Sequence, residues 1–377
     1  MLNASTHVLL VSAQAAPNLL AALDPELKPD EVVLMVTHKM RDRADALEAV
    51  LRESGVKVAL VVLDDEHDFS KLEGTLLELA SSREGQAIAL NVTGGTKLMA
   101  LAAQSVAQAA GWSVFYVDVD TDEVIWLGKE SHRRKLSEYL RLRHYLRGYG
   151  FTIEGEIQCP QPERRHADLL QTLVMQVGSL EQPLSQLNWL GQESEGKKTL
   201  QVKLSAEQLD SRGLEALLRY FKEAEVLSVA GDTLKFASEE DRDFAKGGWL
   251  ERYVFKVLSD SAGELAIRDK AANLVVMDRE GVKNELDAAF MARNRLFVVE
   301  CKTARMDKPE APKANDTLFK LSEICRRVGG LGARGMLASY RRLRDQERCL
   351  AKALDIEVVC GVDLARLDER LRRWVRS

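Results

Sequence analysis

Long apolar runs are missing from this chain. No stretch reaches the roughly 20 apolar residues that a membrane-crossing helix needs, so no membrane partner is expected. Cysteine is sparse: five residues, scattered and odd in number, with no CxxC pair. That argues against a zinc ribbon and a disulfide framework, and fits a reducing compartment. An excess of positive charge is also missing; 53 Lys and Arg face 58 Asp and Glu, for a net charge of −5. The chain is therefore no nucleic-acid coat, and any basic groove must be local. The opening MLNASTHVLLVSAQ has neither the basic start nor the long apolar core of a secretion signal, and a cytoplasmic location is expected. The glycine-bearing turn Thr93–Lys97 fits neither GxGxxG nor GxxxxGK[ST], which counts against a dinucleotide cofactor and a Walker A loop there. What is there suffices for two or three packed domains: 377 residues, 46% of them hydrophobic.

In the first third, short β-branched runs (His7–Val11, Glu31–Thr37, Lys57–Leu63, Gln86–Val92) alternate with helical patterns at Asn18–Leu23, Arg41–Ser54 and Phe69–Ser82. This alternation predicts a Rossmann-like parallel sheet with helices on both faces, closed by a hairpin of Ser113–Asp118 and Glu123–Leu127. Ligands are expected at the carboxyl ends of such strands. Three ends carry polar chemistry: Ser12, Gln14 and Asn18 after the first, Thr37 after the second, and Thr93-Gly94-Gly95-Thr96-Lys97 after the fourth. Two glycines let backbone approach a ligand, and the helix that follows offers N–H groups to an anion. A tight strand–helix turn capped by Thr96 is the plainer reading of the same residues.

The stretch NVTGGTKLMA on such a sheet resembles the CARF sensor domain of CRISPR ancillary proteins, over about residues 1–147. The resemblance implies a homodimer binding a cyclic oligoadenylate across its two-fold axis. Ser12, Gln14, Asn18, Thr37 and Thr93 to Lys97 are then the ligand-binding candidates. Cyclic tetra-adenylate, with its own pseudo-two-fold symmetry, suits two such loops placed face to face.

Between about 160 and 240 the pattern is helical, with a capping-box start at Ser205 and an amphipathic helix at Gly213–Ala224. A hairpin follows at Val226–Val229 and Leu234–Ala237. Helices followed by a wing resemble a small winged-helix module, either a DNA-binding unit or a spacer. Residues 131–149 suggest a helix leading out of the first domain, Arg165–Gly178 another helix, and Cys159–Pro162 a linker.

The last unit, 246–377, centres on NELDAAFMARNRLFVVECK (284–302). It reads as a hairpin turning at Arg293-Asn294, with Leu296–Val299 buried on both faces and Glu300 and Lys302 on one side. In register, Asp287 approaches Glu300. Converging carboxylates suit a hard divalent cation, and a neighbouring lysine suits charge developing on phosphate. This arrangement resembles the PD-(D/E)XK restriction-endonuclease-like core, with Glu251 on the preceding helix as the further acidic residue and Glu285 as a secondary candidate. The resemblance implies catalysis by Asp287, Glu300, Lys302 and Glu251. Glu251, Asp287 and Glu300 would hold Mn²⁺ or Mg²⁺. Strands are expected at Glu264–Ile267 and Asn273–Asp278, helices at Asp316–Val328 and Arg341–Leu354, and a loop at Pro309–Pro312 flanked by lysines 308 and 313. The joined resemblances imply a cyclic tetra-adenylate-activated nuclease of type III CRISPR defence acting on DNA, RNA or both. The alternative is a nucleotide-sensing transcription regulator with a degenerate nuclease core.

Overall fold

The computed structural model describes residues 4–128, 132–161, 163–303 and 313–377, with Lys313 by its backbone alone. The expected loop at 309–312, with its lysine at 308, lies outside the described residues, as do Ser131 and Pro162 of the segments read above.

The N-terminal domain is built as the alternation predicts. Strands β1 (Thr6–Leu10), β2 (Glu31–Thr37), β3 (Lys57–Leu63), β4 (Ile88–Asn91) and β5 (Ser113–Asp118) are parallel, in the order β3-β2-β1-β4-β5. Antiparallel β6 (Glu123–Leu127) and β7 (Arg133–Lys135) complete the sheet. Helices α1 (Ala16–Leu23) and α2 (Arg41–Glu53) cover one face; α3 (Phe69–Ser82) and α4 (Lys97–Ala109) cover the other. The strand order reverses between β1 and β4, the switch point where open α/β sheets receive ligands.

The segment 131–149 is helical only at α5 (Leu142–Gly148); the residues before it form β7 and an extended connector. That connector is held by the last domain. Asn294 Oδ1 accepts from the backbone N of Tyr139 at 3.1 Å, and Asn294 Nδ2 donates to Ser137 O at 3.1 Å. Leu142, Tyr145 and Leu146 of α5 join one continuous apolar core with Leu296 and Val298 of the last domain. The linker expected at Cys159–Pro162 begins against that domain: Gln158 bridges Ala272, and Cys159 Sγ donates to Lys270 O at 3.1 Å; before it, β8 (Thr152–Ile153) is an edge strand of the same sheet.

The middle unit holds α6 (Arg164–Met175) and α7 (Val177–Gly196). The expected helix to Gly178 instead breaks at Gln176. Then come β9 (Gln201–Lys203), α8 (Ala206–Leu209), α9 (Arg212–Glu223) and the wing β10 (Leu227–Ala230) and β11 (Thr233–Phe236), in sheet order β10-β11-β9. Ser205 forms the expected capping box with Gln208. Leu214, Leu217, Leu218 and Phe221 are buried on one face of α9.

After α10 (Glu239–Asp243) a π-turn at Phe244–Gly248 leads into α11 (Trp249–Asp260). Glu264–Ile267 is a turn rather than a strand; Leu265 is buried there, which accounts for its apolar pattern. The sheet then runs β12 (Asp269–Met277), β13 (Lys283–Ala292), β14 (Arg295–Lys302), β15 (Arg334–Ser339) and β16 (Ile356–Cys360). α12 (Lys313–Gly329), α13 (Asp345–Ala353) and α14 (Leu367–Arg376) complete the domain. Arg341 to Arg344 precede α13 instead of opening it. Arg341 is buried against Ser185 of α7 at 2.7 Å, not solvated as a charge run suggests.

Candidate functional site

The hairpin β13–β14 turns at Arg293-Asn294, both with positive φ (49° and 53°), the backbone of a tight two-residue hairpin. Leu296, Phe297, Val298 and Val299 are all fully buried, alternately in two cores on opposite faces of the sheet. Ala288 pairs with Val299, so the register carries Asp287 opposite Glu300.

Here the regular ladder gives way. On the other side of β13, Ala272 pairs with Ala288 and Leu274 with Leu286. Asn273, opposite Asp287, is unpaired with φ +49°. The apolar faces exchange at this point: Ala288 and Ala272 lie in one core, Leu286 and Leu274 in the other. A local twist of this kind re-aims side chains beside a site. Asp287 Oδ2 accepts from the backbone N of Cys301 at 2.7 Å, which joins the strands by a side chain where the ladder ends. Cys301 itself is buried packing. Lys302 Nζ lies 2.6 Å from Glu300 Oε1, so Glu300 and Lys302 do share one side.

Burial, then the charge of Glu300, pushes the Asp287 carboxyl up to about 7. Glu251, in the first turn of α11, is raised by burial and then by Glu285, with Glu300 adding to it. For Lys302 burial works against the ammonium, but the carboxylate of Glu300 outweighs it and the net shift is upward. Asp287, Glu300 and Glu251 thus act on one another across a half-buried spot that holds one lysine, with the exposed Glu285 acting on Glu251 from its edge, an excess of negative charge that a hard cation would relieve. Among the described residues no three acidic side chains stand in ligand geometry. Glu300 is taken up by Lys302 and Asp287 by the Cys301 amide, and bare carboxylates repel one another. The oxygen donors fit Mn²⁺ or Mg²⁺ in kind.

Beside this spot lies a cleft of about 620 Å³, lined by Glu251, Arg252, Gly247, Asn273, Thr303 and, from α7, Asn188 and Gln192. Sequence reasoning missed Thr303, Asn188 and Gln192, because nothing in their local pattern shows that α7 packs on the last domain.

In the N-terminal domain the nucleotide-binding candidates gather at the carboxyl ends of the adjacent strands β2, β1 and β4. Gly94 has no room for a side chain, since a Cβ would stand 2.1 Å from Leu10 O; Gly95 has φ +71°. Thr96 caps α4, accepting from Met99 N at 3.2 Å, and Thr96 and Lys97 are exposed at the helix start. Of the other candidates, Ser12 is half-exposed and bonds within its own loop to Gln14, and the rest turn inward or toward the last domain. Asn18 is buried, donating to Leu10 O at 3.0 Å and accepting from Asn91 Nδ2 at 3.1 Å. Thr93 Oγ1 accepts from Val117 N and donates to Asn91 Oδ1. Thr37 is buried, and Gln14 reaches the last domain. Asn91, which the sequence reading passed over, therefore ties the β1 and β4 loops together.

Residues 6–145 match the family model of the Card1 CARF domain, and residues 238–377 that of the Card1-like endonuclease domain. The chain belongs to the class of proteins that join a CARF domain to an endonuclease domain. Within that class it is Card1-like in both parts. Protein VC1899 from Vibrio cholerae is similar over 98% of each chain, with TM-score 0.91 and 27% identity. Can2 from Sulfobacillus thermosulfidooxidans, solved in complex with cyclic tetra-adenylate, superposes over 99% of each chain with TM-score 0.85 and 24% identity. A type III CRISPR defence DNA nuclease activated by cyclic oligoadenylate covers 89% of this chain with 45% of its own, at TM-score 0.55 and 22% identity. The last two likenesses speak to the fold. None of the curated proteins matches the chain.

Proposed function

We propose that this protein is a metal-dependent endonuclease, switched on by cyclic tetra-adenylate and acting as a homodimer on DNA, RNA or both. The observation that carries the reading is the meeting of Asp287, Glu300 and Lys302 at one end of a hairpin whose other end is held by the CARF domain. Asp287 and Glu300 would hold Mn²⁺ or Mg²⁺, with Glu251 joining them directly or through water. The cation, when bound, lowers the pKa of a water and offsets charge on the phosphate. Lys302 keeps its proton, and its ammonium would orient the attacking water or stabilise the oxygens of the pentacoordinate phosphorus. The Cys301 amide holds Asp287 in place.

The α4 start supports anion binding: Thr96 and Lys97 are exposed there, above glycines that bring the backbone close. Exposed apolar side chains on the adjoining helices α3 and α4 (Phe69, Leu77, Leu98, Leu101) support a two-fold interface. No helix among the described residues is long and apolar enough to cross a membrane, in keeping with a cytoplasmic enzyme. A regulator with a degenerate core is disfavoured by the complete Asp287, Glu300 and Lys302 set.

The test is cleavage of plasmid, single-stranded DNA and RNA with Mn²⁺ or Mg²⁺, with and without cyclic tri-, tetra- and hexa-adenylate. Asp287→Ala and Lys302→Ala should each abolish cleavage and leave nucleotide binding intact. Full cleavage by both variants would remove the site assignment.

A further inference from the structure

The cleft beside Glu251 is walled on one side by the middle domain. Asn188 and Gln192, one turn apart on α7, point into it. Gln192 Nε2 donates to Asn188 Oδ1 at 3.1 Å. Asn188 Nδ2 in turn reaches Thr303 Oγ1 at 3.5 Å, the outer limit of a hydrogen bond, so the amide protons of a side chain only 9% exposed are barely used. Thr303 directly follows Lys302. It is wedged in place by the π-turn before α11: a Cβ on Gly247, whose φ is +148°, would lie 2.3 Å from Thr303 Oγ1. The row Gln192–Asn188–Thr303 therefore ends at the strand that carries Glu300 and Lys302.

The charges around the cleft narrow what these amides can serve. Both cations in its lining are already paired, Lys246 with Glu195 and Asp243, and Arg252 with Glu240. Glu240, Asp243 and Glu251 repel a phosphate. The neutral donors of Asn188, Gln192, Asn273 and Thr303 are the side chains left to hold phosphate or sugar oxygens, and half or more of protein contacts to DNA are of this kind. A volume of about 620 Å³ falls within the range of pockets that enclose a small ligand.

We propose that Asn188 and Gln192, together with Thr303, bind the phosphodiester strand next to the bond being cut, so that the middle domain positions substrate as well as linking the other two. The inference rests on the nuclease reading above. Asn188 and Gln192 are positioning residues; the chemistry stays with Asp287, Glu300 and Lys302.

The full-length protein is activated with cyclic tetra-adenylate and given Mn²⁺ and an end-labelled oligonucleotide of defined sequence. Parent, Asn188→Ala, Asn188→Asp, Gln192→Ala and Asp287→Ala are compared. Gln192→Ala and Asn188→Ala should each raise KM by about three- to tenfold, the loss of one hydrogen bond, with kcat within about twofold of the parent. The distribution of cut positions should broaden. Asn188→Asp, which sets a carboxylate against the phosphate, should raise KM further than Asn188→Ala. Should the Asn188 variants fail to fold, the exposed Gln192 decides alone. Unchanged KM and an unchanged cut pattern in Gln192→Ala and in every folded Asn188 variant, in a preparation whose parent cleaves and whose Asp287→Ala does not, would overturn this proposal alone. A parent that cleaves nothing would overturn it together with the nuclease reading.

Discussion

Gln14 Oε1, in the loop after the first strand, accepts a hydrogen bond at 3.0 Å from the backbone N of Leu331, 317 positions further along the chain. The Tyr149 hydroxyl donates to the same oxygen at 3.4 Å. The fit is close: a Cβ on Gly330, whose φ is +61°, would stand 2.1 Å from that oxygen. A loop at the nucleotide face of the CARF domain thus touches the turn between α12 and β15 of the endonuclease domain. The segment proposed to meet the ligand is thus bonded to the endonuclease domain as well.

Gln14→Ala should weaken the coupling between them. Cyclic tetra-adenylate should still bind, but the ratio of cleavage with saturating ligand to cleavage without it should fall severalfold. The lost hydrogen bond should cost about 1 kcal/mol in stability. Cleavage assays and thermal melts of the same preparation check both; an unchanged ratio would show that this contact takes no part in activation.

Asp287→Asn should abolish cleavage and, without metal, stabilise the fold at pH 8. The native carboxyl is raised to about 7 by burial and by Glu300, so above that pH its ionised form is penalised in the folded state. A neutral amide lifts the penalty and keeps an oxygen for the Cys301 N–H, for a gain of at least about 1 kcal/mol. The penalty builds between about pH 4 and 7, where the folded carboxyl keeps a proton that the unfolded one has released, so at pH 5 the difference should be smaller than at pH 8 but still present. Denaturant melts at the two pH values decide it.

Asp122 gives a separate pH dependence at the domain joint. Its carboxyl is raised to about 6, chiefly by burial, while the nearby Asn294 amide, at 3.4 Å, pulls the other way. Between about pH 4 and 6 the folded protein holds a proton that the unfolded chain has released, so this group's contribution to stability falls as pH rises across that window. Asp122→Asn should flatten this part of the stability curve. Asn also tolerates the left-handed backbone at this position, φ 53°.

Gly94→Ala and Lys97→Ala should separate structure from binding in the TGGTK turn. The alanine Cβ meets the Leu10 backbone oxygen at 2.1 Å, so Gly94→Ala should lower stability by more than about 2 kcal/mol. Lys97 is exposed, and its replacement should stay within about 0.5 kcal/mol of the parent. Loss of cyclic tetra-adenylate affinity in Lys97→Ala, measured by calorimetry, would then be a ligand effect.

The sequence made some of this legible and hid the rest for identifiable reasons. Periodicity exposed the parallel sheet, α9, the wing and the hairpin with its turn at Arg293-Asn294, because each is set by neighbours in the chain. Glu300 and Lys302 could be placed on one side from strand alternation alone. The exchange of faces at Asn273 and Asp287 was not legible: it depends on β12, a separate strand. Asn18, Thr37 and Gln14 lie on the expected loops but turn inward or toward another domain, which only tertiary packing decides. Glu264–Ile267 looked like a strand because Leu265 is buried, and burial in a turn leaves the same trace. Arg341 looked like surface until α7 was seen to cover it.

Asn294 sits at the far tip of the hairpin, bonded to Ser137 and Tyr139 of the CARF connector. Paired strands resist stretching, so a pull on that tip moves the ladder as far as Ala288 and Val299 as a single piece, and Asp287 follows through its bond to the Cys301 N–H. Glu251 rides on a different support, the helix that begins at the π-turn beside the middle domain. Under the proposed function, turning the enzyme on or off would amount to advancing or withdrawing one prefabricated half of the metal cage relative to the other.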